Sequence, residues 1–235
     1  MKNKKASHVG FVLSFVIFVT FLVFLFSILG SPIKFSRNNS PLLDYLEIEF
    51  ENRFISNLTK LTITSPINHN KNCIKIDNQD LELTDLNAVV KDVNNIIIHS
   101  KILSQDLLFD WAEENDYFKI YYSEDLNLGE DDVGDDCYNL QNSNIKSIKE
   151  DYYFSKKKIE SFFEDYEEDY ENLKVELNLP ISNEFGLSFT DSNKAVIKET
   201  GDKEVTTDVY AREIPIQYFT QTAEINSGFI NIKVW

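Results

Sequence analysis

Positive charge is scarce in this chain. It has 23 Lys and Arg against 39 Asp and Glu over 235 residues, which gives a formal net charge of −16. Proteins that bind nucleic acid place clustered Lys and Arg against the phosphates, so this balance argues against a nucleic-acid partner. The motifs HExxH, GxSxG, GxxxxGKS/T and GxGxxG are also missing, and no local pattern therefore indicates a reaction class or a cofactor.

Acidic residues are missing from the first 30 positions, which are almost wholly apolar. The stretch from Val9 to Leu29 has 21 residues and no charge, and as a helix with a rise of 1.5 Å per residue it matches the roughly 30 Å core of a bilayer. We therefore predict a basic leader over residues 1–8, a transmembrane helix over 9–30 and the lipid bilayer as a partner. A cleaved secretory signal is the alternative, although its apolar centre is typically about 7–15 residues long.

The flanking charges predict the orientation of this helix. Lys2, Lys4 and Lys5 precede it, and Lys34 and Arg37 follow it. Positive residues favour the cytoplasmic side, and the three lysines and the α-amine before the helix outweigh the two basic residues after it. A cytoplasmic N-terminus and an extracellular remainder at the cell membrane are therefore predicted. Beyond residue 30 the formal charge is 20 − 39 = −19. The hydrophobic content of the whole chain, 43%, is enough for a folded core.

The segment KKASHVGFVLSFVIF resembles the start of archaeal type IV prepilin-like proteins, in which a short basic leader abuts a hydrophobic helix. The resemblance is confined mainly to residues 1–30. It implies leader cleavage after Lys5-Ala6, with Ser7 as the first mature residue. Many such pilins have a glutamate five residues into the mature chain, where this sequence has Phe11. A pilin-like filament subunit and a solitary single-pass surface protein both stay open.

Residues 31–40 include Pro32, are followed by Pro41 and have no long apolar run, which predicts a linker before an extracytoplasmic domain over 41–235. Apolar residues at three- and four-residue steps predict a helix over Pro41–Asn57. A second such pattern predicts one long amphipathic helix over Asp151–Asn178, packed on the protein's own sheet or on a coiled-coil partner. The predicted fold class is α+β: a transmembrane helix followed by a β-rich domain, with a point of subdivision near 129–150.

Short runs of β-branched and aromatic residues between Asn- and Asp-rich turns predict the strands. They lie at Leu61–Ser65, Cys73–Ile76, Asn95–Ser100, Leu107–Trp111, Tyr117–Ser123, Phe185–Phe189, Arg212–Gln221 and Phe229–Trp235, and a hairpin is predicted across Thr200–Asp202.

Cys73 and Cys137 are the only cysteines. Outside the cytoplasm an even pair favours a disulfide, and two free buried thiols are the main alternative. A zinc site would have His69, Cys73 and Cys137 as ligands, one short of the usual four. His99 is predicted to be a structural strand residue rather than a catalytic one.

The acidic stretch of residues 129–137 raises a calcium hypothesis, because Ca²⁺ binds several carboxylate oxygens. A solvated loop is the alternative. The candidate ligands are Glu130, Asp131, Asp132, Asp135 and Asp136.

Two asparagines, Asn38 and Asn57, fit the acceptor pattern for N-glycosylation. Both would be extracellular in the predicted orientation.

Two functional classes fit these observations. The first is a non-enzymatic structural or adhesion protein of the cell surface, pilin-like, whose partners are pilin-like or other surface proteins. The second is a membrane-anchored extracytoplasmic hydrolase that uses paired carboxylates. We favour the first, because no nucleophile, metal or phosphate motif is recognisable.

Overall fold

The computed structural model describes residues 5–29, 41–65, 71–77, 81–83, 86–104, 106–111, 116–127, 132–134, 136–201 and 208–235. The chain divides into two compact units, Met1–Ser40 and Pro41–Trp235. The first unit contains helix α1 (Lys5–Leu29), and the second contains all the other helices and strands.

Helix α1 has apolar, exposed side chains over residues 10–24, the part for which side chains are described. No helix in the described part of the chain is both long and apolar enough to cross a membrane. The transmembrane helix predicted over 9–30, and with it the predicted fold class, is therefore wrong. The structure is a mixed α and β fold with large sheets.

The second unit contains three α-helices and thirteen strands in its described residues. The helices are α2 (Pro41–Phe54), α3 (Lys156–Glu168) and α4 (Tyr170–Glu176), and a 3-10 turn lies at Asn142–Asn144. The strands are β1 (Ile55–Thr64), β2 (Cys73–Asp77), β3 (Asn87–Lys91), β4 (Ile97–Ile98), β5 (Ser100–Leu103), β6 (Asp106–Asp110), β7 (Tyr117–Ser123), β8 (Tyr138–Asn139), β9 (Ile145–Ser155), β10 (Phe185–Asp191), β11 (Val196–Glu199), β12 (Tyr210–Phe219) and β13 (Ile225–Val234).

The strands form two sheets. A nine-stranded sheet has the order β11-β10-β13-β12-β9-β1-β7-β3-β4, and a four-stranded sheet has the order β5-β6-β2-β8. The large sheet has two halves, which meet where β12 runs parallel to β9 and pairs with it at Tyr218–Phe154 and Phe219–Ser155. All other pairs in the large sheet are antiparallel.

One face of the β10–β13 half is covered by the three helices. Alternate residues of its strands point to this face, where they meet the apolar stripes of α2, α3 and α4. Phe50, Phe54 and Phe162 pack at its centre with ring centroids 5.1–5.5 Å apart. The predicted packing of Ile159, Phe163, Tyr166, Tyr170, Leu173 and Leu177 on the protein's own sheet is confirmed.

The same face of the other half is covered by the small sheet. Leu61 and Ile63 of β1 and Phe118, Ile120 and Tyr122 of β7 are fully buried there. They pack against alternate residues of β2 and β6, such as Ile74 and Phe109. The helices and the small sheet therefore lie side by side on one face of the large sheet. The opposite face of strands β1, β7 and β3 carries the alternate side chains of these strands.

The long helix predicted over Asp151–Asn178 is wrong at its start and in its middle. Residues 151–155 continue strand β9, and Ser155 then caps α3 by accepting a hydrogen bond from the Lys158 backbone N–H at 3.3 Å. The helix ends at Glu168, and Asp169 starts α4 by accepting from the Asn172 backbone N–H. Apolar spacing alone did not reveal these two capping residues as boundaries.

Other boundaries also differ from the predictions. Helix α2 ends at Phe54 because the chain turns directly into β1, which begins six residues earlier than predicted. The strand predicted over Asn95–Ser100 is two strands, β4 and β5, with exposed His99 at the break. Strands β3 and β9 were not predicted. The hairpin predicted across Thr200–Asp202 lies partly outside the described residues.

The predicted disulfide between Cys73 and Cys137 is confirmed, with Cα atoms 4.7 Å apart. It joins β2 to the residue before β8, and its neighbours Leu108 and Val133 are buried. The bridge closes a segment of 64 positions, which strongly restricts the unfolded chain.

Removal of this bridge should destabilise the protein by about 4 kcal/mol in the chain-entropy model. The double variant Cys73→Ser/Cys137→Ser should unfold at a lower urea concentration than the oxidised wild type. Reductant should lower the wild-type midpoint and leave that of the variant unchanged. Equal midpoints for oxidised wild type and variant would contradict the prediction.

Gly228 of β13 marks a close approach of backbone strands. A Cβ at this position would lie 2.4 Å from the Thr190 carbonyl oxygen and 3.1 Å from a ring carbon of Tyr218. We expect Gly228→Ala to cost about 1–3 kcal/mol, because the strand backbone would have to shift. Gly201→Ala is the matched control, since its Cβ would meet no atom within 4 Å. Thermal unfolding of both variants tests this, and equal stabilities would contradict it.

Candidate functional site

Four lysines and two tyrosines lie together on the second face of the large sheet. We call this set, Lys60, Lys91, Lys119, Lys149, Tyr117 and Tyr121, the lysine face. The strand register places the lysines and Tyr121 in two adjacent rows across β3, β7, β1 and β9: Lys91–Lys119–Thr62–Ser147 and Val89–Tyr121–Lys60–Lys149. Tyr117 lies next to Lys119 in the following row, where it pairs with Thr64.

Strand periodicity creates this face. In β7 the residues Phe118, Ile120 and Tyr122 point into the core under the small sheet, so Lys119 and Tyr121 must point the other way. The same alternation in β1 buries Leu61 and Ile63 and turns Lys60 outward. The apolar positions of each strand thus decide where its lysines lie.

One end of the lysine face is closed by the turn between β12 and β13. Phe219 and Ala223 from this turn pack with Leu58, Val89 and Tyr121 in a small apolar cluster. The turn is held by two hydrogen bonds: the Asn127 backbone N–H donates to the Gln221 carbonyl oxygen at 3.1 Å, and the Lys91 ammonium donates to the Ala223 carbonyl oxygen at 3.1 Å. The other end, with Lys60, Lys119 and Lys149, reaches solvent.

Aromatic rings and polar groups hold the lysine side chains in place. The Lys60 and Lys91 ammonium nitrogens lie 5.9 Å and 5.6 Å from the ring centroid of Tyr121. Lys119 lies 5.8 Å from the Tyr117 ring centroid and donates to the side-chain oxygen of Asn95 at 2.7 Å. Such cation–π contacts are attractive because the ring face is negative.

Carboxylates balance this face only in part. Lys149 donates to Asp151 at 2.6 Å, and Glu224 acts on Lys91. Within the described residues, Lys60, Lys91 and Lys119 have no carboxylate within ion-pair distance. Four ammonium groups and two carboxylates give 4 − 2 = +2 for this area, in a chain whose total is −16.

Burial changes the pKa of two members of the lysine face. Lys91 is 4% exposed, and desolvation lowers the pKa of its ammonium, an effect that Glu224 opposes and Lys119 reinforces. Tyr121 is 8% exposed, and burial raises the pKa of its phenol. The buried pair forms the floor of the face, and the exposed lysines form its rim.

A second polar cluster joins three elements. The buried Ser56 hydroxyl of β1 donates to Asp125 at 2.5 Å, and the Lys158 ammonium of α3 lies 3.8 Å from the same carboxylate. Lys158 also donates to the Ile55 carbonyl oxygen at 3.3 Å. The cluster therefore ties the start of α3 to the end of β7, and its serine is closed off from solvent.

The calcium candidates fall mostly outside the described residues: Glu130, Asp131 and Asp135 do. Asp136 is described and forms an ion pair with Lys71. Asp132 is also described, and no group of three potential metal ligands lies together among the residues that the structure describes. The calcium site stays a prediction.

The remaining candidates are dispersed. Lys5, Ala6 and Ser7 lie at the start of α1, and their side chains are outside the described part. Asn57 lies in β1, where its amide nitrogen donates to Glu150. His69 and Asn38 are outside the described residues.

His99 has one ring nitrogen 3.5 Å from an Asp110 carboxylate oxygen. The His99 side chain is 73% exposed, and the residue lies at the break between β4 and β5 rather than at the predicted strand position.

The lysine face was missed by sequence reasoning. The signal was a lysine at a polar position in each of the runs LTKLTIT and YFKIYYS. Because β3 and β9 were not predicted as strands, their lysines could not be placed beside the other two.

No protein-family model, curated protein or solved structure matches this chain.

Alkaline pH should destabilise the fold through buried phenols. Burial is the main cause that raises the pKa of Tyr121, Tyr122, Tyr166, Tyr170 and Tyr218. The folded state holds these protons more tightly than the unfolded chain, so their stabilising contribution is complete below about pH 10 and is lost as pH rises through the folded-state values. Lys91 has the opposite effect on stability: its pKa is lowered in the folded state, so its contribution becomes more favourable as pH rises towards 10.5. Because one lysine opposes five tyrosines, the net effect should be a loss of stability.

Urea unfolding between about pH 8 and pH 12, with phenolate absorbance, measures this loss. Tyr218→Phe should make the loss less steep, because one raised phenol is removed. Stability that is constant or rises above pH 10 would contradict the prediction.

Proposed function

We propose that this chain is a non-catalytic structural or adhesive protein of the cell surface, and that the lysine face is the surface through which it contacts an anionic partner. The observation that carries this proposal is the concentration of four lysines on one sheet face of a strongly acidic chain. Lys91 is buried in the floor of this face and Lys149 is paired with Asp151, whereas Lys60 and Lys119 reach solvent without a paired carboxylate among the described residues. The partner class is another surface protein that presents a row of carboxylates.

The disulfide supports a location outside the cytoplasm. Disulfides persist in oxidising compartments and are rare where cellular thiols are kept reduced. The Cys73–Cys137 bridge lies between two strands of the small sheet, so it belongs to the folded structure of the second unit. A folded domain at the cell surface would lie in an oxidising compartment and would keep this disulfide.

The geometry of the lysine face supports protein contact. Its floor is a rigid sheet, and the rings of Tyr117 and Tyr121 limit the motion of three of the four lysines. Tyrosine supplies contact area at low entropic cost. A surface that is held in place before binding loses less conformational freedom on binding than free lysines would.

The total charge supports a protein partner over a nucleic acid. At physiological salt the Debye length is about 8 Å, so a partner of limited size interacts mainly with the positive face. A nucleic-acid duplex is stiff, so it would also pass the acidic remainder of the chain, where the formal charge is negative. The partner should therefore present a short row of acidic groups.

Immobilised poly-L-glutamate is a suitable first probe of this face. We expect the full chain in mild detergent to bind it, and Lys60→Ala/Lys119→Ala to bind at least about 10-fold more weakly because two unpaired rim charges are removed. Affinity should fall with salt. Lys157→Ala/Lys198→Ala is the matched control, since it removes two exposed lysines elsewhere. Equal binding by the wild type and the rim variant, or equal loss in the control, would contradict the proposal.

A further inference from the structure

A row of acids without ion pairs lies on the outer side of α3 and α4. These residues, which we call the acidic stripe, are Glu164, Asp165, Glu167, Glu168 and Glu171, and all are exposed. None forms an ion pair with any residue of the described part. The nearest ion pairs along the chain are Lys156–Glu160 before the stripe and Lys174–Glu184 after it.

The acidic stripe weakens helix α3. Glu164 and Glu168 are four residues apart in this helix, and like charges at this spacing destabilise a helix. The helices are held by other features, namely the Ser155 cap and the buried side of α3 on the sheet. A cationic surface placed over the stripe would remove this repulsion.

The acidic stripe and the lysine face lie on opposite sides of the large sheet. Where β12 and β9 pair, Tyr218 and Phe154 point to the helix side, and Phe219 points to the side of the lysine face. Helix α3 buries Ile159 and Phe163 against the helix side, so its acids point away from the sheet. One copy cannot bring its own two surfaces together, whereas two copies can.

The spacing of the two surfaces is compatible. Paired lysines on neighbouring strands are about 5 Å apart and successive same-face residues of a strand are about 7 Å apart. Acids at positions i and i+4 of a helix are about 6 Å apart along its axis. A helix laid on the lysine face therefore presents carboxylates at the intervals at which the ammonium groups recur.

We propose that the lysine face of one copy binds the acidic stripe of the next. The inference rests on the proposed function and names its partner as a second copy of this chain. The two surfaces differ, so the contact is heterologous, and repetition from copy to copy produces an open row or a ring. Because the surfaces are on opposite sides of the sheet, the geometry favours an open row.

A charge-exchange experiment on the full chain tests this assembly. The face variant is Lys60→Glu/Lys119→Glu, and the stripe variant is Glu164→Lys/Glu168→Lys. Sedimentation velocity in mild detergent, which keeps apolar α1 dispersed in every sample, should show concentration-dependent assembly of the wild type that decreases at high salt. Each variant alone should lose at least about 10-fold in association constant. An equimolar mixture should assemble again, because each reversed surface meets an opposite charge.

Several controls separate this inference from a folding defect and from the proposed function. Circular dichroism and the disulfide should be unchanged in both variants, and Lys157→Glu/Lys198→Glu should assemble as the wild type does. The stripe variant should still bind poly-L-glutamate, since its lysine face is intact.

Three results would overturn the inference: wild-type chain that does not assemble, variants that assemble normally, or a mixture that does not recover. If such a result came with lysine-dependent binding of poly-L-glutamate, only the proposed function would survive. Lysine-dependent binding of duplex DNA or phosphatidylglycerol vesicles by a wild type that does not assemble would assign the face to a different partner. Loss of both assembly and poly-L-glutamate binding would reject both proposals.

Discussion

The second unit depends on the short parallel pairing between β12 and β9. In the described part of the chain, the strands of the two halves are paired only at Tyr218–Phe154 and Phe219–Ser155, and Ser155 at this point also ends β9 and caps α3. Because of this pairing, the face of one half that the helices cover and the face of the other half that the small sheet covers lie on the same side of the large sheet. Phe219 and Ser155 stabilise this pairing, because Phe219 packs in the apolar cluster at the β12–β13 turn and Ser155 is fully buried.

The sidedness set by this pairing separates the two charged surfaces. Both sheet halves turn their larger apolar face to one side, where the helices and the small sheet cover it. Lysines at alternate strand positions must then lie on the second side, and acids on the outside of α3 must lie beyond the helices. Opposite charges on opposite sides of the large sheet are a consequence of hydrophobic burial, and they favour contact between copies over contact within one copy.

Prediction from sequence succeeded where a single physical effect dominated. Tyr117–Ser123 was predicted with its observed bounds because alternating aromatic and β-branched residues have few alternatives to a strand. The helix over Asp151–Asn178 was predicted too long, because the apolar spacing continued through a strand and through the break at Asp169. The run of residues 9–29 has the composition of a membrane helix, yet no helix in the described part of the chain is both long and apolar enough to cross a membrane.

The amino-acid sequence by itself determined the acidic balance, the pairing of the only two cysteines and the apolar positions that form the core. These properties follow from composition and from local periodicity. Only the tertiary structure decided that Lys60, Lys91, Lys119 and Lys149 share one face, since they come from four strands separated by up to 89 positions. Strand order and register are non-local, because they depend on the burial of all strands together. The apolar residues of each strand decide which face is buried, and this in turn decides on which face the lysine of that strand lies.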